Sequence, residues 1–226
     1  MSHYTNPGLP PARRYNETMV TLAVQAGGQS RRMGRDKGLI ELDGRPLILH
    51  VLERLLPLAD DVVVTTNAPE TYAFLGVRLA SDSIPGAGAL PGLATALEAA
   101  RGERVLVVAC DMPFASPRLM AHLLDLAEDS DVVIPRRRGE FEPLHAVYRR
   151  ACLPAIRASL EAGQSRMISF FPSVRLRTVE AEEWGPLDPS GHSFFNINTP
   201  DDLRQAEAML AEERQATAQE TKPDDA

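Results

Sequence analysis

The chain has 226 residues, with 24 lysines and arginines against 31 aspartates and glutamates and a formal net charge of −7. Its hydrophobic fraction of 44% excludes a wholly disordered or collagen-like chain. No apolar run approaches the ~20 residues that a membrane helix needs, and residues 1–18 lack the apolar core of a signal peptide. We therefore expect a cytoplasmic protein that does not enter a membrane.

The two ends of the chain differ in composition from the middle. Residues 1–18 contain several prolines and polar side chains, and residues 212–226 carry five acidic residues against two basic ones. We expect disordered tails over 1–18 and 211–226 and a single domain over 19–210. Because the rest of the chain is only mildly acidic and has no basic stripe interleaved with aromatic residues, we expect no nucleic-acid binding.

Up to Pro135, short apolar runs alternate with segments of helical periodicity. The runs predict strands over residues 19–24, 39–42, 61–66, 77–80, 105–109 and 132–134. Apolar spacing, N-caps and prolines in first turns predict helices over residues 46–56, 70–75, 91–100 and 116–127. Such alternation is typical of an α/β sandwich around a mostly parallel sheet.

After Pro135 the pattern changes, and we expect an extension that completes the sheet and forms one wall of a pocket. Strands are predicted over residues 144–148 and 174–179, the second at an edge of the sheet, with a helix over 150–161. Thr199 and the proline that follows it begin a last helix over about 200–210.

The segment after the first strand, AGGQSRRMGRDK at 26–37, combines paired glycines with basic residues. Ligands of open α/β sheets bind at the carboxyl ends of the strands. Gly27 and Gly28 lack a Cβ, so their N–H groups can approach a phosphate or a base, and Arg31 and Lys37 supply positive charge. We predict a nucleotide-binding loop, although it matches neither the P-loop nor the dinucleotide fingerprint.

Asp111 directly follows the most apolar predicted strand. A carboxylate at that edge can ligate Mg²⁺ bound to the phosphates of a nucleotide, which offsets the charge that develops as pyrophosphate leaves. The alternative is that Asp111 only caps the next turn. Its place at the same sheet edge as the glycine loop favours the metal. Asn67, Asp82 and Asn198 follow other strands in the same way, and each alone is a weak signal.

Four segments occur in the order expected for one family over about residues 19–210. They are AGGQSRRMGRDK at 26–37, CDMP at 110–113, EPLHAVY at 142–148 and NINTPDDL at 196–203. Together they resemble the molybdenum cofactor guanylyltransferases, the MobA-type enzymes of bacteria. Two positions depart from the family pattern: Gln25 stands where the family usually has Leu, and ALPG at 89–92 stands where it usually has Pro-Leu-Ala-Gly.

The resemblance implies a three-layer, Rossmann-like nucleotidyltransferase fold with GTP as substrate and Mg²⁺ as cofactor. It implies transfer of GMP from GTP to molybdenum-carrying molybdopterin, with release of pyrophosphate and formation of the guanine dinucleotide form of the cofactor. It suggests molybdoenzymes or their chaperones, and a P-loop accessory protein, as partners.

The resemblance also assigns roles to particular positions. Those that match nucleotide-binding positions of the family are Gln25, Ala26, Gly27, Lys37, Asn67, Asp82 and Asp111. Asp111 also matches a metal ligand, and Asn198 matches a metal-binding position of related sugar nucleotidyltransferases. With Gly28, which the composition of the loop adds, these residues form the predicted site.

We expect an in-line displacement that needs no strong general base, because a terminal phosphate is already ionised at neutral pH. Lys37, Asp111 and Arg31 are therefore the predicted catalytic residues, acting through position and charge. His145 is predicted to be packed or hydrogen-bonded rather than a proton shuttle. Two alternatives stay open: a cytidylyltransferase acting on molybdopterin or on a sugar or polyol phosphate, and a non-catalytic nucleotide-binding protein.

Overall fold

The computed structural model describes residues 19–26, 36–81 and 89–220, with side-chain environments up to residue 216. Its strands are β1 Val20–Gln25, β2 Glu41–Leu42, β3 Arg45–Pro46, β4 Asp61–Thr65, β5 Arg78–Ala80, β6 Arg104–Ala109, β7 Val132–Arg137, β8 Glu140–Phe141, β9 His145–Arg149 and β10 Leu176–Val179. Its α-helices are α1 Leu47–Leu55, α2 Pro69–Tyr72, α3 Ala89–Ala99, α4 Pro117–Asp125, α5 Leu153–Glu161, α6 Ala181–Trp184 and α7 Pro200–Glu220.

One sheet with the strand order β10-β7-β9-β6-β1-β4-β5 forms the centre of the fold, and β8 pairs with β7 outside this path. β1 is parallel to β4 and β6, and β4 is parallel to β5. β9 is antiparallel to both of its neighbours, β6 and β7, so β6 and β7 point the same way. The predicted mostly parallel sheet is confirmed, and the carboxyl ends of β1, β4, β5, β6 and β7 share one edge.

Alternate residues of the strands pack against helices on opposite faces of the sheet. Leu22 and Val24 of β1 join the apolar cluster formed with α1 and α4, whereas Ala23 joins the cluster formed with α3 and α5. Both faces are therefore covered, which explains why the strands are continuous apolar runs in the sequence. The three-layer α/β architecture is confirmed, and the predicted edge strand is β10.

α7 packs beside the β2–β3 hairpin rather than on the main sheet. Met209 and Leu210 bury their side chains there, in a third apolar cluster that includes Leu42. The sequence predicted an end near Leu210, but the helix continues to Glu220, so residues 211–220 are helical rather than disordered. Ion pairs from Arg54 to Glu213 and from Arg214 to Asp43 attach this extra length to the body of the protein.

The domain boundaries at 19–210 stay a prediction, and residues 1–18 and 221–226 lie outside the described residues. Within the part of the chain that the structure describes, no helix has both the length and the apolar character needed to cross a membrane.

Candidate functional site

The predicted site residues fall into two groups. Gln25, Asn67 and Asp111 follow or end β1, β4 and β6, so all three lie at the carboxyl edge of the sheet. Lys37 and Asn198 come from separate segments and join Asp111 there. Ala26 follows β1 at this edge, and the other predicted residues, Gly27, Gly28, Arg31 and Asp82, lie outside the described residues.

Lys37 is the centre of a charged cluster at this edge. Its Nζ donates to Oδ2 of Asp111 at 2.8 Å and to Oδ1 of Asn198 at 2.5 Å. These residues are 74 and 161 positions away from Lys37 in the sequence. The lysine side chain is 26% exposed and that of Asp111 is 11% exposed, so the cluster is partly shielded from solvent. The structure thus brings together three residues predicted to act together.

The backbone of Asp111 is held on both sides. The N–H of Cys110 donates to the carbonyl of Gln25 at 3.0 Å, which extends the pairing of β6 with β1 by one residue. The carbonyl of Asp111 accepts from the Ile197 N–H at 3.1 Å. The acid is therefore fixed between the end of β1 and the segment that leads to Asn198, which explains why the carboxylate faces a defined position.

Asn198 does not follow a strand, contrary to the sequence prediction, but lies between a 3-10 turn, His192–Phe194, and α7, whose start fixes its position. The N–H groups of Asn198 and Thr199 donate to Oδ2 of Asp202 at 2.9 and 2.8 Å, and the Asp202 N–H donates back to the Thr199 hydroxyl at 3.1 Å. These N–H donors, that of Asn198 first, hold the pKa of Asp202 below its usual value. The sequence predicted no role for Asp202, yet this reciprocal cap fixes the position of Asn198, the residue that contacts Lys37.

Lys37 begins a single 3-10 turn, Lys37–Leu39, and the strand predicted over 39–42 begins only at Glu41. Asp36 caps this turn, because its Oδ1 accepts from the Gly38 N–H at 3.2 Å. The cap explains the difference: a side-chain acceptor favours a turn over an extended chain. The predicted strand is thereby reduced to β2.

At the end of β1, the backbone is largely committed to the sheet. The Ala26 N–H donates to the Thr65 carbonyl at 2.8 Å, so this N–H is not available to a ligand. The side chain of Gln25 is buried, and its Nε2 has no hydrogen-bond partner within the described part of the chain. Asn67, which follows β4, is exposed.

Residues 22–178 match the family model described as a MobA-like NTP transferase domain. The chain belongs to this family. It is a nucleotidyltransferase with the α/β fold that the resemblance implied, and the cluster of Lys37, Asp111 and Asn198 lies at the edge where open α/β sheets bind ligands.

Curated relatives cover most of the chain. It is 39% identical over 194 residues to the probable molybdenum cofactor guanylyltransferase of Pelotomaculum thermopropionicum, covering 86% of this chain and 95% of the relative. It is 36% identical to the molybdenum cofactor guanylyltransferase of Desulfosudis oleivorans, covering 84% and 96%. The crystal structure of molybdopterin-guanine dinucleotide biosynthesis protein A from Archaeoglobus fulgidus superposes with a TM-score of 0.75 at 29% identity, covering 85% of this chain and 99% of that chain.

MobA-like nucleotidyltransferases generally use a divalent metal, and the oxygen atoms at the site suit one. Asp111 and Asn198 direct side-chain oxygens at the same cation, the ammonium of Lys37. Among the described residues there is no group of three or more His, Cys, Asp or Glu side chains able to enclose a metal. One carboxylate with a neutral oxygen is the partial ligand set typical of ions that are shared with substrate phosphates.

Three consecutive arginines of the β7–β8 hairpin, Arg136, Arg137 and Arg138, lie at the same sheet edge. Arg136 forms an ion pair with Glu180 at 2.7 Å, and the Arg137 guanidinium lies 5.7 Å from the centre of the Phe194 ring. Arg138 is exposed at the tip, with a positive φ of 51°. Only Arg138 of these three lacks an ion pair or ring contact to another described residue.

His145 lies on β9 beside β6, with no exposed surface. Its ring packs edge-on against Phe194, with centroids 5.0 Å apart, and neither ring nitrogen has a hydrogen-bond partner among the described residues. Burial lowers its pKa to about 4, against a smaller opposite effect of Asp188. The ring is therefore a packed, neutral imidazole, which is the first of the two predicted alternatives.

Proposed function

We propose that this nucleotidyltransferase transfers GMP from GTP to molybdenum-carrying molybdopterin and releases pyrophosphate. The observation that carries the proposal is the contact of Lys37 with Asp111 and Asn198 at the carboxyl edge of the sheet. The names of the curated relatives support guanylyl transfer to the molybdenum cofactor, and they favour it over the cytidylyltransferase alternative.

The reaction requires positioning of the substrates and neutralisation of the phosphate charge more than proton transfer. A terminal phosphate of the pterin is ionised at neutral pH and attacks the α-phosphorus of GTP in line, while the bond to pyrophosphate breaks. The Lys37 side chain is partly exposed, so its ammonium can interact with the negative charge of the triphosphate. The sequence predicts that Arg31 also stabilises the negative charge of the triphosphate, and Arg31 lies outside the described residues.

Asp111 and Asn198 are the side chains proposed to hold Mg²⁺. Lys37 already lies where their oxygens converge, so a cation is stabilised at this position by the protein itself. Held by these two residues together with the nucleotide, Mg²⁺ would supply Lewis-acid polarisation of the phosphates. The Asp111 backbone contacts and the Asp202 cap keep both ligands in place.

Recognition of guanine is assigned to Asn67, Asp82 and the backbone of the glycine loop. Guanine presents N–H donors at N1 and N2 and an acceptor at O6, so its pocket needs acceptors and a donor. Asn67 is exposed at the end of β4, as this role requires. The recipient partners proposed are molybdoenzymes or their chaperones, with a P-loop accessory protein, in the cytoplasm.

Pyrophosphate release tests the proposal with molybdopterin as acceptor and GTP, CTP or ATP as donor, each with and without Mg²⁺. We expect release with GTP and Mg²⁺ and at least about a hundredfold less with CTP or ATP, because a polar pocket discriminates strongly against a base that leaves its groups unpaired. Equal release with CTP would support the cytidylyltransferase alternative. Tight GTP binding without release from any donor would indicate a non-catalytic nucleotide-binding protein.

A further inference from the structure

Tyr72 ends α2 and has no exposed surface. Its hydroxyl donates a hydrogen bond to Oδ1 of Asp36. Burial raises the pKa of this hydroxyl far above its usual value, so the phenol stays protonated and remains a donor at every working pH. Asp36 is the residue that precedes Lys37 and caps its turn, which places the tyrosine one residue away from the charged cluster.

The residue on the other side of Lys37 contacts the same hydroxyl. A Cβ added to Gly38 would lie 2.6 Å from the Tyr72 oxygen and 3.3 Å from both Cβ and Sγ of Cys110. Real Cβ atoms do not approach other atoms as closely as 2.6 Å, so a larger residue at position 38 would have to displace the buried Tyr72 hydroxyl. The turn that carries Lys37 therefore rests directly on the phenol oxygen.

Cys110 connects this packing to Asp111, the acid that pairs with Lys37. It is buried, it precedes Asp111, and its N–H is bonded to the Gln25 carbonyl at the end of β1. The Tyr72 hydroxyl thus meets the turn that carries Lys37 at two points, Asp36 and Gly38, and that turn rests on the residue next to Asp111.

We infer that Tyr72 is a positioning residue for nucleotidyl transfer: its hydroxyl fixes Asp36 and Gly38 and thereby holds the Lys37 ammonium at the distance from Asp111 that the reaction uses. The inference rests on the role proposed above for Lys37. It assigns no contact with substrate to Tyr72, because the side chain is enclosed by the protein.

The test replaces Tyr72 by Phe, which keeps the packed ring and removes only the hydroxyl. The matched control is Tyr148→Phe, because Tyr148 is also fully buried and its hydroxyl donates to the Pro143 carbonyl at 2.8 Å, away from Lys37. We expect kcat/KM for GTP to fall about tenfold in Tyr72→Phe, the size of one hydrogen bond to a charged acceptor, and to change less than about twofold in the control. KM for the pterin acceptor should stay unchanged.

A second readout does not depend on activity. The chain contains two lysines, Lys37 and Lys222, so acetylation by a small reagent followed by mass spectrometry reports on Lys37 with Lys222 as internal reference. The Lys37 amine is partly exposed and held by two acceptors, and we expect its labelling relative to Lys222 to rise at least about threefold in Tyr72→Phe. Tyr148→Phe should leave the ratio unchanged.

A double-mutant cycle identifies the route of the effect. If the hydroxyl acts through Asp36, adding Tyr72→Phe to Asp36→Ala should cause no further loss of kcat/KM. Wild-type kinetics and labelling in Tyr72→Phe, or full additivity in the cycle, would overturn the inference. Lys37→Met distinguishes the positioning role of Tyr72 from the proposed function. If Lys37→Met is active, the proposed role of Lys37 is contradicted. If Lys37→Met is inactive but Tyr72→Phe is unaffected, only the positioning role of Tyr72 is contradicted.

Discussion

Two buried carboxylates lie at opposite edges of the central sheet, Asp61 at the amino end of β4 and Asp111 beyond the carboxyl end of β6. Asp61 accepts hydrogen bonds from the Arg78 guanidinium, the Thr21 hydroxyl at 2.9 Å and the Arg101 N–H at 3.3 Å. Burial raises its pKa, but these donors outweigh that effect and hold the pKa below its usual value.

Asp111 has a far less complete set of partners. Within the described residues its side chain accepts from Lys37 alone, and Lys37 is itself partly exposed. A carboxylate with several donors from its own chain has little capacity left for a ligand, whereas one with a single, partly exposed cation as its partner can still bind a metal. The comparison indicates that the Asp61 carboxylate stabilises the fold, whereas the Asp111 carboxylate can still bind a ligand.

The largest expected effect is the loss of activity in Asp111→Asn. Removing the charge that balances Lys37 and a divalent ion should lower kcat for pyrophosphate release about 1,000-fold, while the free energy of unfolding changes by less than about 1 kcal/mol. Asp60→Asn is the matched control, because Asp60 accepts a backbone N–H of Val20 at 3.1 Å at the opposite edge. Near-normal turnover in Asp111→Asn would remove the proposed role of this acid.

Asp61→Asn should show the reverse pattern. The change leaves the Arg78 guanidinium without its buried counter-charge, so we expect the free energy of unfolding to fall by about 3 kcal/mol. Below the unfolding temperature, the activity per folded molecule should equal that of the wild type. Chemical denaturation and turnover measured on the same samples check both, and a selective loss of activity would contradict the structural role.

His145 predicts a smaller effect that depends on pH. Its folded-state pKa of about 4 lies below the ordinary value of 6.5, so between these values the unfolded chain binds a proton that the folded protein does not. Stability should therefore fall by about 2 kcal/mol from this group between pH 7.5 and pH 5. Urea denaturation of His145→Phe should show a correspondingly smaller loss; an identical pH dependence in the variant would refute the assignment.

The smallest effect is expected where an ion pair is exposed. Arg157 contacts Glu98 at 2.7 Å, but their side chains are 59% and 46% exposed. Glu98→Gln should change the free energy of unfolding by less than about 0.5 kcal/mol and leave turnover unaltered. A loss as large as that in Asp61→Asn would show that ion pairing alone, rather than burial and the number of donors, decides these energies.

Much of the fold follows from the sequence because the strands are buried on both faces. The apolar runs of β1 and β6 are continuous, and the rule that parallel strands expose ligand sites at their carboxyl ends already predicts that Asp111 and the segment of Lys37 meet. The length of α7 beyond Leu210 was missed, since its polar residues are held by ion pairs to Arg54 and Asp43 rather than by apolar packing.

The residues that support the site were also missed. Tyr72 and Asp36 are 36 positions apart, and a single hydroxyl contact between them leaves no periodic signal. Asp202 did have a local signal, the Thr-Pro-Asp-Asp start of a helix, but its second role in placing Asn198 depends on the tertiary position of α7. Local patterns identify the elements and the charged residues, whereas the supporting contacts come from the assembled fold.

The most direct test of the central claim is electron paramagnetic resonance of Mn²⁺ with GTP and the protein. The account predicts that the wild-type protein and Asp61→Asn, kept below its unfolding temperature, immobilise Mn²⁺ when GTP is present. It predicts that Mn²⁺ with GTP and Asp111→Asn gives the same signal as Mn²⁺ with GTP and no protein. Equal immobilisation by Asp111→Asn and by the wild type would contradict the claim that Asp111 holds the metal of the nucleotide.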